Sequence, residues 1–209
     1  MPQFDIGIFA AICLNELFYK IDKDEFNYLL RKGTLLLEAY EIKDAMECLS
    51  SAIALKPDSD EALWKRGLAK GMSNDLHGAS ADFTLAIKFN PNCKEAYSNR
   101  SKIYRKLDMI PESLADADKA LELEPKCKNT LNARGSTLLL MGDYEGAIAD
   151  FTRLIKVDRK NGRFYYARGL AYHKLNDFKH ANKDYRKSVR LGYENDSREF
   201  EDDCEVIYN

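Results

Sequence analysis

The sequence predicts an all-α stack of five helical hairpins, and three regularities carry that prediction. Small residues recur every 34 positions at Gly33, Gly67, Ser101, Gly135 and Gly169. A second small column, Ala45, Ala79, Ser113, Ala147 and Ala181, keeps the same step, and a third begins with Ala52, Ala86 and Ala120. Pro57, Pro91 and Pro125 close the first three units. A fixed period of this length marks supersecondary pieces that cannot bury their apolar faces alone and therefore stack on one another. The units fall at residues 26–59, 60–93, 94–127, 128–161 and 162–195.

Ahead of the first unit, residues 1–25 place Phe4, Ile8, Ile12, Leu14, Leu17, Phe18 and Ile21 on a helical stripe, so a capping helix is expected there. The apolar run Ile6 to Leu14 is shorter than the roughly 20 residues a bilayer crossing needs, and it lacks the positive flank of a secretory leader. No membrane insertion is expected. Each unit then reads as two helices. In the fourth, Lys128 to Met141 forms the first, Gly142-Asp143 turns, and Tyr144 to Val157 forms the second. Glycine suits the turn, and Asp143 can accept hydrogen bonds from the free N–H groups of the new helix. Asn74-Asp75 and Asn176-Asp177 repeat the device, while Pro111 opens the second helix of the third unit, where its missing N–H costs nothing.

After the fifth unit, residues 196–209 set Phe200, Cys204 and Ile207 on one face, with most of their acidic residues turned away. An acidic capping helix is expected, with an acidic interaction tail as the rival reading. Within each unit a glycine on the first helix facing an alanine on the second lets the helices approach closely. Leu49, Phe83, Phe151 and Tyr185 fill the remaining contact, and Ala117 in the third unit breaks that column, so a thinner core is expected there.

The chain is 45% hydrophobic and 32% charged, enough for both a core and a solvated exterior, and its net charge of −2 lacks the electrostatic footprint of a nucleic-acid binder. Its five cysteines are odd in number and without CxxC spacing, so reduced thiols and a cytoplasmic chain are expected. No metal-ligand, nucleophile or phosphate-loop motif stands out, and neither an enzyme, a cofactor nor a metal site is expected. A charged ladder does stand out: Arg66, Arg100, Arg134 and Arg168 are each followed 16 residues later by Asp82, Asp116, Asp150 and Asp184. Columns that track together point to ion pairs tying helices to each other, with a ligand-recruiting strip as the alternative.

The stretch Leu131-Asn132-Ala133-Arg134-Gly135, followed by Gly142-Asp143-Tyr144-Glu145-Gly146-Ala147-Ile148-Ala149-Asp150-Phe151, resembles the tetratricopeptide repeat. The resemblance implies a right-handed α-α superhelix whose first helices line a concave groove, and a non-catalytic module that binds a protein or peptide there. Counted onto this chain, that groove is offered Leu30, Trp64, Lys65 and Leu68, then Asn99, Lys102, Arg105 and Lys106, then Asn132, Arg163, Tyr166 and Lys174. It is apolar with a tryptophan at one end and basic toward the other, so the ligand expected is an extended peptide or helix with acidic residues and an apolar anchor. The carboxylate clamp of chaperone-binding members is disfavoured: Asn99 matches one clamp position, but Trp64, Leu68, Asn129 and Ala133 stand at the other four. Two alternatives are a secretion-type chaperone holding an apolar client segment, and a self-assembling adaptor whose residues 4–21 dock on a neighbouring chain.

Overall fold

The computed structural model describes residues 24–193, so the capping helices expected at either end lie outside the described residues. Within that span ten α-helices follow one another, with no strand among the described residues. They are α1 (Glu25–Glu38), α2 (Ile42–Leu55), α3 (Asp60–Met72), α4 (Leu76–Phe89), α5 (Lys94–Lys106), α6 (Ile110–Leu123), α7 (Lys128–Met141), α8 (Tyr144–Val157), α9 (Gly162–Lys174) and α10 (Phe178–Arg190). The chain divides into two compact units between Ala133 and Arg134.

The same turn chemistry closes every hairpin. One or two positions past each first helix a residue takes a left-handed backbone: Tyr40 (φ 61°), Asn74 (66°), Asp108 (60°), Gly142 (80°) and Asn176 (59°). The next residue donates to the carbonyl five positions back, as in Asp75 N–H to Lys70 O (2.9 Å) and Asp177 N–H to Tyr172 O (2.9 Å), which satisfies a carbonyl left open at the helix end. Asp75, Asp143 and Asp177 then cap the second helix, accepting from the N–H of Gly78, Gly146 and His180. Met109 and Glu41 make no side-chain cap, and α6 instead starts with Pro111 in its first turn.

In the first unit α1 packs on α2 and α3, α3 on α4 and α5, and α5 on α6, so successive first helices also touch each other. The glycines set the spacing. A Cβ at Gly33 would fall 2.7 Å from Leu49 Cγ, and one at Gly67 would fall 2.9 Å from Phe83 Cε1. The second unit repeats this with Gly135 against Phe151 (3.1 Å) and Gly169 against Tyr185 (2.7 Å). Ala45, Ala79, Ala147 and Ala181 are fully buried opposite them. The third hairpin, where a thinner core is expected at Ala117, meets in a different way. Ser101 replaces the glycine, Ala117 replaces the large residue, and Ser113 Oγ donates to Ser101 O at 2.8 Å. Ser101, Ser113 and Ala117 are all buried, so this hairpin closes on a serine hydrogen bond where the others close on a ring or a leucine.

The Arg–Asp ladder ties the two helices of each hairpin. In the first unit Arg66 Nε and Nη2 each donate to Asp82 at 2.8 Å, and Arg100 meets Asp116 in the same fork at 2.7 and 2.8 Å. In the second unit Arg134 forks onto Asp150 and Arg168 onto Asp184. Nη1 is spent on the preceding second helix: Arg100 reaches Thr84 Oγ1 at 2.9 Å and Arg168 reaches Thr152 Oγ1 at 3.0 Å. Arg100 also lies over the rings of Tyr97 and Tyr104, one turn to either side. The hydrogen bonds to Asp82 and Asp184 raise the pKa of Arg66 and Arg168 above the ordinary value. Paired bidentate bonds of this kind are strong and directional, so each rung fixes a hairpin angle as well as a charge.

Candidate functional site

In the first unit the first helices carry the residues expected to meet a ligand, and their surroundings separate them into groups. Leu30 is 8% exposed and belongs to the core of the first hairpin with Leu36, Leu37 and Leu49, so it is a packing residue. Trp64 is half-buried and rests against the next core, formed by Leu63, Phe83 and Ile103. Leu68, one turn along α3, is also half-buried. Together they present a partly open apolar surface on α3.

Lys65 stands beside that surface, but its charge is already committed. Its Nζ donates to Thr34 Oγ1 at 2.8 Å, pairs with Glu61 at 2.7 Å and lies 5.5 Å from the Trp64 ring centre. It bridges α1 to α3 and props the tryptophan. On α5 the situation reverses. Lys102 is half-buried, and its ammonium donates to the neutral Asn99 Oδ1 at 3.2 Å. Burial lowers its pKa below the ordinary lysine value, and among the described residues no carboxylate reaches it to offset that burial. Arg105, one turn further, has a buried Nε without a hydrogen-bond partner among the described residues. Two cations on one helix are therefore partly desolvated without a counter-charge, an arrangement that costs free energy unless something supplies the anion.

Lys102 opens into a polar hollow of about 170 Å³ between α5 and the start of α7, lined by Lys94, Glu95, Ser98, Asn99, Asn129 and Thr130 among others. Ser98 Oγ and Thr130 Oγ1 share a buried hydrogen bond of 2.7 Å on its wall. Glu124 on the rim is engaged by Lys94 at 3.0 Å. Cys93 nearby is buried and its thiol is pushed up to about 11, so it stays neutral. Lys106 and Asn132 are exposed.

In the second unit the Tyr166 ring packs at a tilt against Tyr185 (centres 5.6 Å apart) and Tyr193 (5.4 Å), which makes it part of an aromatic cluster rather than an open ring. Arg163 is exposed with its guanidinium 5.7 Å over Tyr193, and Lys174 is exposed near the end of α9. Among the described residues no group of three or more His, Cys, Asp or Glu side chains could hold a metal ion, and no helix is long and apolar enough to cross a membrane.

Hairpins of this geometry define a class of proteins built to present surfaces to other proteins, and comparison with known proteins agrees. Residues 135–176 match the TPR repeat family, and residues 94–127 and 162–191 match the tetratricopeptide repeat family. The chain carries tetratricopeptide repeats over these residues and has the all-α solenoid fold of that repeat. Among solved structures, a MamA RS-1 double mutant matches at a TM-score of 0.74 and 16% identity, over 81% of this chain and 95% of that one. MamA residues 41-end from Desulfovibrio magneticus RS-1 match at 0.73 and 17%, over 83% and 98%. YrrB, a TPR protein with an unusual peptide-binding site, matches at 0.70 and 16%, over 85% and 91%. No curated protein matches the chain in sequence. The chain is a protein–protein interaction module.

Proposed function

We propose that the first unit reads an acidic peptide with an apolar anchor, extended or helical, along the first helices α3 and α5. The acidic residue sits in the polar hollow against Lys102, Asn99 and Asn129, and the apolar one sits on Trp64 and Leu68. The observation that carries this reading is the half-buried Lys102 ammonium, whose hydrogen-bond partner is a neutral amide. A ligand carboxylate would supply the missing charge in a site that is already partly dry, where a charge-assisted hydrogen bond is stronger than in water. Neighbouring packed helices lie roughly 10 Å apart, and an extended strand advances about 3.3 Å per residue, so the two ligand residues should be about three positions apart. YrrB, similar in fold, is described as binding a peptide, which makes a peptide the natural first ligand class to test.

The test is a peptide-display selection on the full chain followed by titration of the enriched sequence. An acidic residue spaced from an aromatic or aliphatic one is expected. Trp64→Ala should weaken the selected peptide by about 2 kcal/mol, the size of an interface anchor. Binding that is indifferent to both Trp64→Ala and Lys102→Met would overturn the reading. Apolar peptides held without salt dependence would favour the chaperone alternative.

A further inference from the structure

The second unit carries a surface that peptide recognition on α3 and α5 does not use. Helix α10 presents Lys179, Lys183, Arg186, Lys187 and Arg190, all exposed, and its one carboxylate, Asp184, is buried and held by Arg168. Among the described residues Lys183, Arg186, Lys187 and Arg190 meet no carboxylate within ion-pair distance. The spacing makes matters worse for an isolated helix: Lys179, Lys183 and Lys187 follow at four-residue steps, as do Arg186 and Arg190, so like charges stand over one another. Their side chains border an open hollow of about 530 Å³ with Tyr165 and Asn182 on its floor. A face this one-sided repels itself and attracts an anion of matching length.

The sequence immediately beyond supplies one. Residues 194–209 hold seven acidic side chains, Glu194, Asp196, Glu199, Glu201, Asp202, Asp203 and Glu205, against the single Arg198. That stretch begins four residues after Arg190. Fully extended, its 16 residues reach about 55 Å, whereas the 13-residue α10 is only about 20 Å long, so the acidic cluster can return along the whole basic face. A short tether also holds the two at an effective concentration in roughly the millimolar range.

We propose that the basic face of α10 is the docking surface for the chain's own acidic residues 194–209. The contact is electrostatic, side chain to side chain, and it shields this face from other polyanions. It is independent of the α3–α5 reading.

Zero-length carbodiimide coupling tests it on the full chain, using an equal mixture of light and ¹⁵N-labelled protein and mass spectrometry of the coupled peptides. Amide links are expected between Lys183 or Lys187 and the acidic residues 199–205, within one chain. Their yield should drop at least fivefold when salt rises from about 0.02 to about 0.5 M. The variant Arg186→Gln/Arg190→Gln keeps both reporter lysines and should lower the yield at least threefold at low salt. Links found only between light and heavy chains would give the face to a second copy and overturn the proposal. Absence of links from residues 199–205 to α10 at low salt would overturn it too. Binding of the unaltered full chain to phosphatidylserine vesicles at about 0.15 M salt, lost in the same double variant, would assign the face to a membrane surface instead.

Discussion

Lys65 and Lys102 sit on neighbouring first helices, α3 and α5, and both are partly buried, yet their surroundings differ completely. Lys65 has a carboxylate, a hydroxyl and a ring. Lys102 has one neutral amide and a polar hollow. A buried charge whose partners come from its own chain serves the fold, and its loss is read in stability. A buried charge whose partner is missing is a standing cost that folding alone does not recover, and its natural readout is binding. The division separates packing residues from recognition residues inside a repeat where both kinds recur at identical spacing.

The largest effect should come from the fully satisfied end of that scale. Asp82 is 2% exposed beneath both Arg66 and Lys70, so Asp82→Ala leaves two partly buried cations without their carboxylate. A loss of about 3–5 kcal/mol is expected in urea denaturation; a loss under about 1 would mean that the ladder is ornamental. Next comes the exchange in the third hairpin. Ala117→Phe should cost about 1–3 kcal/mol by overpacking against Ser101, and adding Ser101→Gly should recover most of it by restoring the glycine–aromatic pair of the other hairpins. Additive losses in the double variant would show that the two positions do not read each other.

Lys102→Met should leave stability unchanged or raise it by up to about 1 kcal/mol, since a costly buried ammonium is replaced by an apolar chain of similar reach. Lys65→Met should lower stability by about 1 kcal/mol. The pH dependence of binding follows the sign of the Lys102 shift. The ligand needs the charged ammonium, and burial has lowered its pKa, so affinity holds at neutral pH and falls with rising pH before the ordinary lysine value of 10.5. Affinity that is flat up to that value would remove Lys102 from the site. The smallest effect is at the first turn. Tyr40 is 78% exposed with φ 61°, a conformation that asparagine tolerates better, so Tyr40→Asn should raise stability by roughly 0.5–1 kcal/mol in thermal unfolding.

Much of the fold was legible because a 34-residue step repeats each geometric demand. The fourth hairpin's helices run Lys128–Met141 and Tyr144–Val157, the limits that its glycine and aspartate mark. Arg and Asp at a constant 16-residue separation implied the ladder, and the structure pairs all four rungs. The turns at Asn74, Gly142 and Asn176 were legible in the sequence, whereas Tyr40 and Asp108 share their register and left-handed backbone, and the Tyr40 side chain does not advertise such a turn. Site residues were harder, for a physical reason. The period says that Leu30, Trp64 and Asn99 lie on first helices, but burial depends on which neighbour leans over each one. The commitment of Lys65 rests partly on Thr34, 31 residues away, and no local pattern signals that bond. Tyr166 likewise reads as an open aromatic until Tyr185 and Tyr193 close around it.

The most direct measurement is a calorimetric titration of the selected acidic peptide against the native chain, Lys65→Met and Lys102→Met at matched salt. The account predicts at least a tenfold weaker Kd for Lys102→Met, about 1.4 kcal/mol or more, with a reduced salt dependence, and a change within about threefold for Lys65→Met. Equal losses at the two lysines, or a larger loss at Lys65, would contradict it.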